Sequence, residues 1–183
     1  MFERRFTDRA NEVMGLTVDE VSRLKHEHVD PAHLLIGLLR EEEGAAARAL
    51  SASGVTLEAA RERLEAILGH GEADVSGVTL TVRSKKVLDL ALGAARRLGD
   101  DRVDTEHLLL ALASEPEGVA AQILADLGVS QRELRAEVMS LTGREDSTGI
   151  VPEGLVEEDS TGTLWIPGND ELDPDLPVPP PSN

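Results

Sequence analysis

The chain has no cysteine and no tyrosine, and only two phenylalanines and one tryptophan. Without cysteine there is no disulfide, no thiolate metal ligand and no thiol nucleophile. With so few aromatic rings, the core has to be built from Leu, Val, Ile and Ala. No apolar run approaches the roughly 18 residues that mark a bilayer-spanning helix, so no membrane partner is expected. Basic residues are in the minority, 18 Lys and Arg against 35 Asp and Glu, for a formal charge of −17. That balance argues against nucleic acid as a partner, because phosphate backbones are bound through clustered Lys and Arg. The phosphate loop G-x-x-x-x-G-K-[ST] is also missing, so the chain holds no cradle for nucleotide phosphates. No local pattern supplies a nucleophile with its base or a metal-ligand spacing. The expectation is a non-enzymatic protein with no cofactor and no metal. The start, Met1-Phe2-Glu3-Arg4-Arg5-Phe6, is charged and lacks the apolar segment of a secretory signal, and a cytoplasmic location is expected.

What the chain does contain is itself, twice. Residues 6–69 moved forward by 74 positions lie on residues 80–143 without a gap, and 22 of the 64 pairs are identical. The identities include Thr7/Thr81, Arg9/Arg83, Val13/Val87, Asp30/Asp104, His33/His107, Gly44/Gly118 and Gly54/Gly128. Two copies of one folding unit are expected to pack with pseudo-two-fold symmetry.

Each copy reads as four helices. In the first, Thr7 caps a run carrying Ala10, Val13, Met14, Val21 and Leu24 at helical spacing. His26–Val29 forms a short joint. Asp30-Pro31 then opens a second helix, with Asp as cap and Pro at the first helical position. Its buried stripe is Leu34, Leu35, Leu38 and Leu39. Glu41-Glu42-Glu43 reads as a solvated acidic helix end before Gly44. An Ala-rich helix follows and closes at Gly54, and Thr56 caps a fourth that stops at Gly69. The second copy repeats the plan, strand signals are nearly absent, and residues 70–79 read as a flexible joint. The fold class expected is all-α, two pseudo-symmetric four-helix repeats making eight helices, with domain limits at 1–143.

From residue 144 the composition changes. Residues 144–183 hold ten acids and one base, so −9 of the −17 lies there, and seven of the nine prolines lie beyond residue 151. Such an acidic, Pro-rich segment is too polar to build a core and is expected to be disordered. One apolar island, Leu164-Trp165-Ile166, interrupts it. It reads either as a chance cluster or as a short docking motif.

Three stretches carry a family resemblance: Met1–Ala10, Thr105-Glu106-His107-Leu108-Leu109-Leu110-Ala111-Leu112, and Glu117-Gly118-Val119-Ala120-Ala121. They resemble the N-terminal repeat domain of Clp-family AAA+ unfoldases, the ClpC type above all, over about residues 1–143. The Arg4-Arg5 pair is a departure, since the family usually has one Arg there. The resemblance implies a small all-helical module that recruits substrates and adaptor proteins to a hexameric ATPase ring feeding a protease. Since the phosphate loop is missing, the chain is expected to be the recognition domain without the ATPase modules. As such it would act as an adaptor, as a competitor of a full-length unfoldase, or as a decoy for cyclic peptide antibiotics.

The resemblance also implies sites. In several ClpC-type domains each repeat holds a pocket for phosphoarginine, a degradation mark. A helix N-terminus suits the phosphate, and a carboxylate suits the guanidinium. The matching residues are Thr81, Arg83 and Glu106 in the second repeat. In the first they are Thr7, Arg9 and Ala32, a degenerate set because a methyl group cannot pair with a guanidinium. Asp104 stands where the family usually has Gly and would repel a phosphate. Thr7 and Thr81 also read as plain helix caps, and Glu106 as an ordinary first-turn acid. A second face between the repeats binds cyclic peptides in actinobacterial relatives, and Phe2, Leu80, Lys85 and Asp89 occupy it here. Leu80 replaces an aromatic residue there, and Phe2 with Leu80 also reads as a simple hydrophobic seam. His26 and His28, two apart, do not share a helix face, and His33 and His107 read as structural.

Overall fold

The computed structural model describes residues 5–73 and 77–144. The eight helices fall where the repeat places them. They are α1 (Asp8–Arg23), α2 (Pro31–Glu41), α3 (Ala45–Ala52) and α4 (Leu57–Leu68), then α5 (Val82–Leu98), α6 (Thr105–Leu112), α7 (Val119–Asp126) and α8 (Gln131–Leu141). Each start follows from a local cap. Thr7, Thr56, Thr81 and Ser130 accept a backbone N–H three residues on. Each satisfies one of the amides a helix start leaves without an intrahelical partner. Gly54 and Gly128 end α3 and α7 at φ +81° and +78°, a conformation that glycine adopts without a Cβ penalty.

Helix α6 stops at Leu112, three positions short of its counterpart α2. Pro116 stands in the place of Glu42. Proline disfavours helical backbone at the residue before it, so Glu115 leaves the helix.

The repeats are interlocked, not merely adjacent. Two short strands, β1 (His28–Val29) and β2 (Thr79–Leu80), pair in parallel with Val29 opposite Leu80. The symmetry-related bridge joins Phe6 to Val103. The stretch before each repeat's first helix therefore pairs with the stretch before the other repeat's second helix. Thr7 N–H donates to Val103 O at 2.9 Å, and Thr81 N–H donates to Val29 O at 3.1 Å. Farther along, α3 packs on α8 and α4 on α7, again across the repeats, while α1 packs on α2 and α5 on α6 within them. The buried apolar residues of both copies form one cluster.

Two expectations are corrected here. The 70–79 joint is tied at both ends: Gly71 N–H donates to Leu24 O at 2.8 Å, Ala73 N–H to Lys25 O at 3.1 Å, and Thr79–Leu80 is a strand. Strands this short carry no alternating pattern of their own, which is why periodicity missed them. The acidic Glu41–Glu43 end is not uniformly solvated either. Glu41 is buried, bound by Arg9 at 2.7 Å, and its other oxygen accepts Gly44 N–H at 2.7 Å.

The first repeat also buries a charge. Glu20 is fully buried and takes paired hydrogen bonds from Arg61 at 3.0 and 2.8 Å and from Arg23 at 3.1 and 2.8 Å. Arg40 stands 3.8 Å from its second oxygen. Burial pushes this carboxyl up, but the hydrogen bonds of Arg61 and Arg23 outweigh it and hold the group below the usual range. Glu20→Ala is expected to lower stability by about 1–2 kcal/mol, less than a fully buried pair because the arginines can turn to solvent. Urea unfolding of the variant measures it, and an unchanged midpoint would contradict it.

Candidate ligand-recognition site

The strand exchange decides which helix starts meet. The Phe6–Val103 bridge sets Thr7 at the entry of α6, and the Leu80–Val29 pairing sets Thr81 at the entry of α2. Arg83 follows the same rule: its charge acts on Asp30, the cap of α2. The Thr81–Arg83 pair therefore shares its end of the molecule with Ala32. Thr7 and Arg9 share theirs with α6, which carries Glu106. The strand pairs thus bring together helix starts that belong to different repeats.

The two threonines are not equivalent in hydrogen bonding. Ser84 donates its hydroxyl proton to Val29 O at 2.6 Å, and its oxygen lies 3.0 Å from the Thr81 hydroxyl. With its own proton committed, Ser84 can only accept from Thr81. The Thr81 hydroxyl is thus held at both ends, because it also accepts Ser84 N–H at 3.1 Å. In the first repeat the place of Ser84 is taken by Ala10, which offers Thr7 only its backbone N–H, at 3.1 Å.

Both arginines are anchored by acids that sequence reasoning did not single out. Arg9 donates to Glu41 at 2.7 Å and to Glu43 at 3.2 Å, and Arg83 donates to Glu115 at 2.6 Å. The signal was present, since Glu41 and Glu115 are identical pairs in the repeat. Burial pushes Glu115 up, but Glu117 N–H, Lys86 and Arg83 outweigh it and hold the carboxyl below the usual range. Glu41 with Gly44 N–H joins Arg9 to the start of α3, and the Thr105 hydroxyl of α6 accepts Ala46 N–H there at 3.4 Å.

The starts of α2 and α6 are built alike. Asp30 and Asp104 cap them, and the N–H of each Asp is accepted by the Nδ1 of its own histidine, His33 or His107, at 2.9 Å in both. The remaining nitrogen meets different partners. His33 Nε2 lies 2.8 Å from His26 Nδ1, whose ring closes the chain on Gly69 O at 3.1 Å. His107 Nε2–H donates to Asp100 at 2.9 Å, and Arg144 clamps the same carboxylate at 2.6 and 3.1 Å. The Arg144 hydrogen bonds hold Asp100 below the usual carboxylate range.

Asp100, Glu106 and His107 bring their ligand-type atoms within 4.8 Å of one another. Both His107 nitrogens are engaged and Arg144 already supplies the cation, so the cluster is a poor metal site. Arg144 also feels the charge of Glu106. Of the face between the repeats, Leu80 is half-buried in the strand pair, and Lys85 and Asp89 are exposed one turn apart on α5. Val82, 86% exposed, stands beside them. Phe2 and the island Leu164, Trp165 and Ile166 lie outside the described residues.

The described residues form a mainly helical double repeat whose two halves exchange short strands and carry polar caps at their helix starts. Residues 5–127 and 79–154 match the Clp repeat (R) N-terminal domain family, and the chain belongs to it. It is 40% identical over 178 residues to the negative regulator of genetic competence ClpC/MecB of Bacillus subtilis, covering 93% of this chain and 22% of that one. It is 43% identical over 143 residues to the chaperone protein ClpB of Oceanobacillus iheyensis, covering 78% and 18%. The chain thus spans about a fifth of the length of these relatives. Among solved structures, the N-terminal domain of the chaperone ClpD from Arabidopsis thaliana superposes with a TM-score of 0.66 at 24% identity, over 78% of this chain and 97% of that one. The Hsp104 N-terminal domain from Candida albicans gives 0.65 at 16% identity, over 76% and 93%. At these identities the structures bear on the fold alone.

Proposed function

We propose that this chain is a non-catalytic recognition module of a Clp proteolysis system. It binds substrates, adaptors or phosphoarginine-type marks, and reads the mark at the crossed site of Thr7, Arg9 and Glu106. The observation that supports this reading is the strand exchange, which sets Thr7 at the entry of α6, the helix that carries Glu106, and Thr81 at the entry of α2, the helix that carries Ala32. Thr7 can donate its hydroxyl proton to a phosphate, Arg9 adds positive charge, and Glu106 suits a guanidinium. Asp104, at the same helix start, opposes a phosphate and favours weak binding.

Titration of phosphoarginine into the full chain by calorimetry tests this. One site per chain is expected, weakened at least tenfold by Thr7→Ala and by Glu106→Ala and unchanged by Thr81→Ala. Loss of binding in Thr81→Ala alone would overturn the crossed assignment.

A second reading, capture of cyclic peptides at the Leu80, Lys85 and Asp89 face, draws on the exposed Val82 beside it. Val82→Asp would then abolish peptide binding and leave phosphoarginine binding intact.

A further inference from the structure

The outward faces of the two long helices carry opposite charge. On α1 the exposed residues are Asp8, Glu12, Asp19, Ser22 and Arg23, three acids against one base. On α5 they are Val82, Lys85, Lys86, Asp89, Arg96 and Arg97, four bases against one acid. The repeat shows the exchange position by position: Val82 stands in the place of Asp8, Lys85 of Asn11, Lys86 of Glu12 and Arg96 of Ser22. Arg83, Lys85 and Lys86 thus crowd the start of α5, where the helix dipole favours acids.

Few of these bases are answered within the domain. Arg83 and Lys86 both reach Glu115, at 2.6 and 3.4 Å. Lys85, Arg96 and Arg97 have no ion pair among the described residues, whereas Arg23, the counterpart of Arg97, holds Glu20 at 2.8 Å and Glu65 at 2.6 Å. At the head of the same face Val82 is 86% exposed, an apolar side chain left in water.

The chain carries a segment of the opposite kind. Residues 145–183 hold ten acids and no base. Their apolar island, Leu164-Trp165-Ile166, has Glu157-Glu158-Asp159 before it and Asp170-Glu171 after it. The point where this segment leaves the domain is fixed, because Arg144 clamps Asp100, just past the end of α5, at 2.6 and 3.1 Å. The 17 residues of α5 place Val82 about 25 Å from that end. The 19 residues 145–163 can reach up to roughly 65 Å. The island therefore reaches Val82 with length to spare, and the acids before it pass the bases of the same helix.

We propose that the exposed face of α5 is the docking surface of the chain's own acidic segment. Leu164, Trp165 and Ile166 cover Val82, and acids of residues 145–171 pair with Lys85, Arg96 and Arg97. Each surface pair is weak by itself, but an attached partner acts at an effective concentration on the order of millimolar. The docked segment keeps other ligands off Leu80, Lys85 and Asp89. It shares that face with the cyclic-peptide reading but does not rest on it.

Trp165 is the sole tryptophan of the chain and reports docking directly. Its quenching by acrylamide, a neutral probe, is measured in the full chain and in two variants altered at exposed positions, Val82→Asp and Lys85→Glu with Arg96→Glu. Val82→Asp installs the residue that the first repeat has at this place, which suits a helix start. Each variant is expected to raise the quenching constant at least threefold, at every protein concentration. Quenching that either variant leaves unchanged overturns the proposal. Shielding that grows with protein concentration also overturns it, and assigns the face to the segment of a second copy. Loss of peptide capture in Val82→Asp with unchanged quenching would keep the cyclic-peptide reading and remove this one.

Discussion

Lowering the pH from 7 to 4 is expected to remove about 3 kcal/mol of folding stability through His33 alone. Burial, and next the neighbouring His26, push the His33 ring down to about 4 from an ordinary 6.5. Above pH 6.5 the ring is neutral in both states and contributes no slope. Between 6.5 and 4 the unfolded chain holds a proton that the folded chain refuses, so stability falls as the pH falls. The hydrogen bonds say why the folded state refuses it. His33 Nδ1 accepts Asp30 N–H, so the ring hydrogen sits on Nε2 and is donated to His26. An added proton has only Nδ1 to occupy, where it would break the capping box of α2. Urea unfolding at pH 7, 5.5 and 4.5 reads the slope. His33→Gln should flatten it, because Gln at the third helical position completes a capping box without titrating. An equal slope in the variant would assign the pH dependence to other groups.

Gly37→Ala is expected to cost about 2 kcal/mol, against the helix-propensity gain of about 1 kcal/mol for the same exchange in an open helix. A Cβ at Gly37 would meet the Thr17 hydroxyl and stand 2.8 Å from the Val13 carbonyl of α1. Backbone cannot rotate away, so α1 and α2 would have to part. The second repeat divides the space differently, with Ala111 in place of Gly37 and Ala91 in place of Thr17. Thr17→Ala introduced together with Gly37→Ala should therefore recover about half of the loss. If the two losses simply add in thermal unfolding, close approach of the helices is not the cause.

Helix positions, caps and the family were legible in the sequence because they rest on local chemistry. Thr7 to Ala10, Asp30 to His33 and Ser130 to Glu133 are each three residues apart, and the repeat shows such spacings twice. The candidate residues were legible one by one, but not which helix starts the fold brings together. Thr7, Arg9, Thr81, Arg83 and Glu106 were all in view. The ion-pair anchors of the two arginines, Glu41 and Glu115, were not, because an acid at a helix end reads as solvated until a long-range partner is seen.

The sequence by itself determined an all-helical double repeat, its caps, its membership of the Clp N-terminal family and the inequality of Ala32 and Glu106. Only the tertiary structure decided which copy of each helix start meets which. A gapless repeat is equally compatible with pairing inside a copy and pairing between copies, since the two arrangements use the same residues at the same spacings. The choice rests on Phe6 against Val103 and Leu80 against Val29. Those backbone bonds join residues 97 and 51 positions apart, beyond the reach of local propensity.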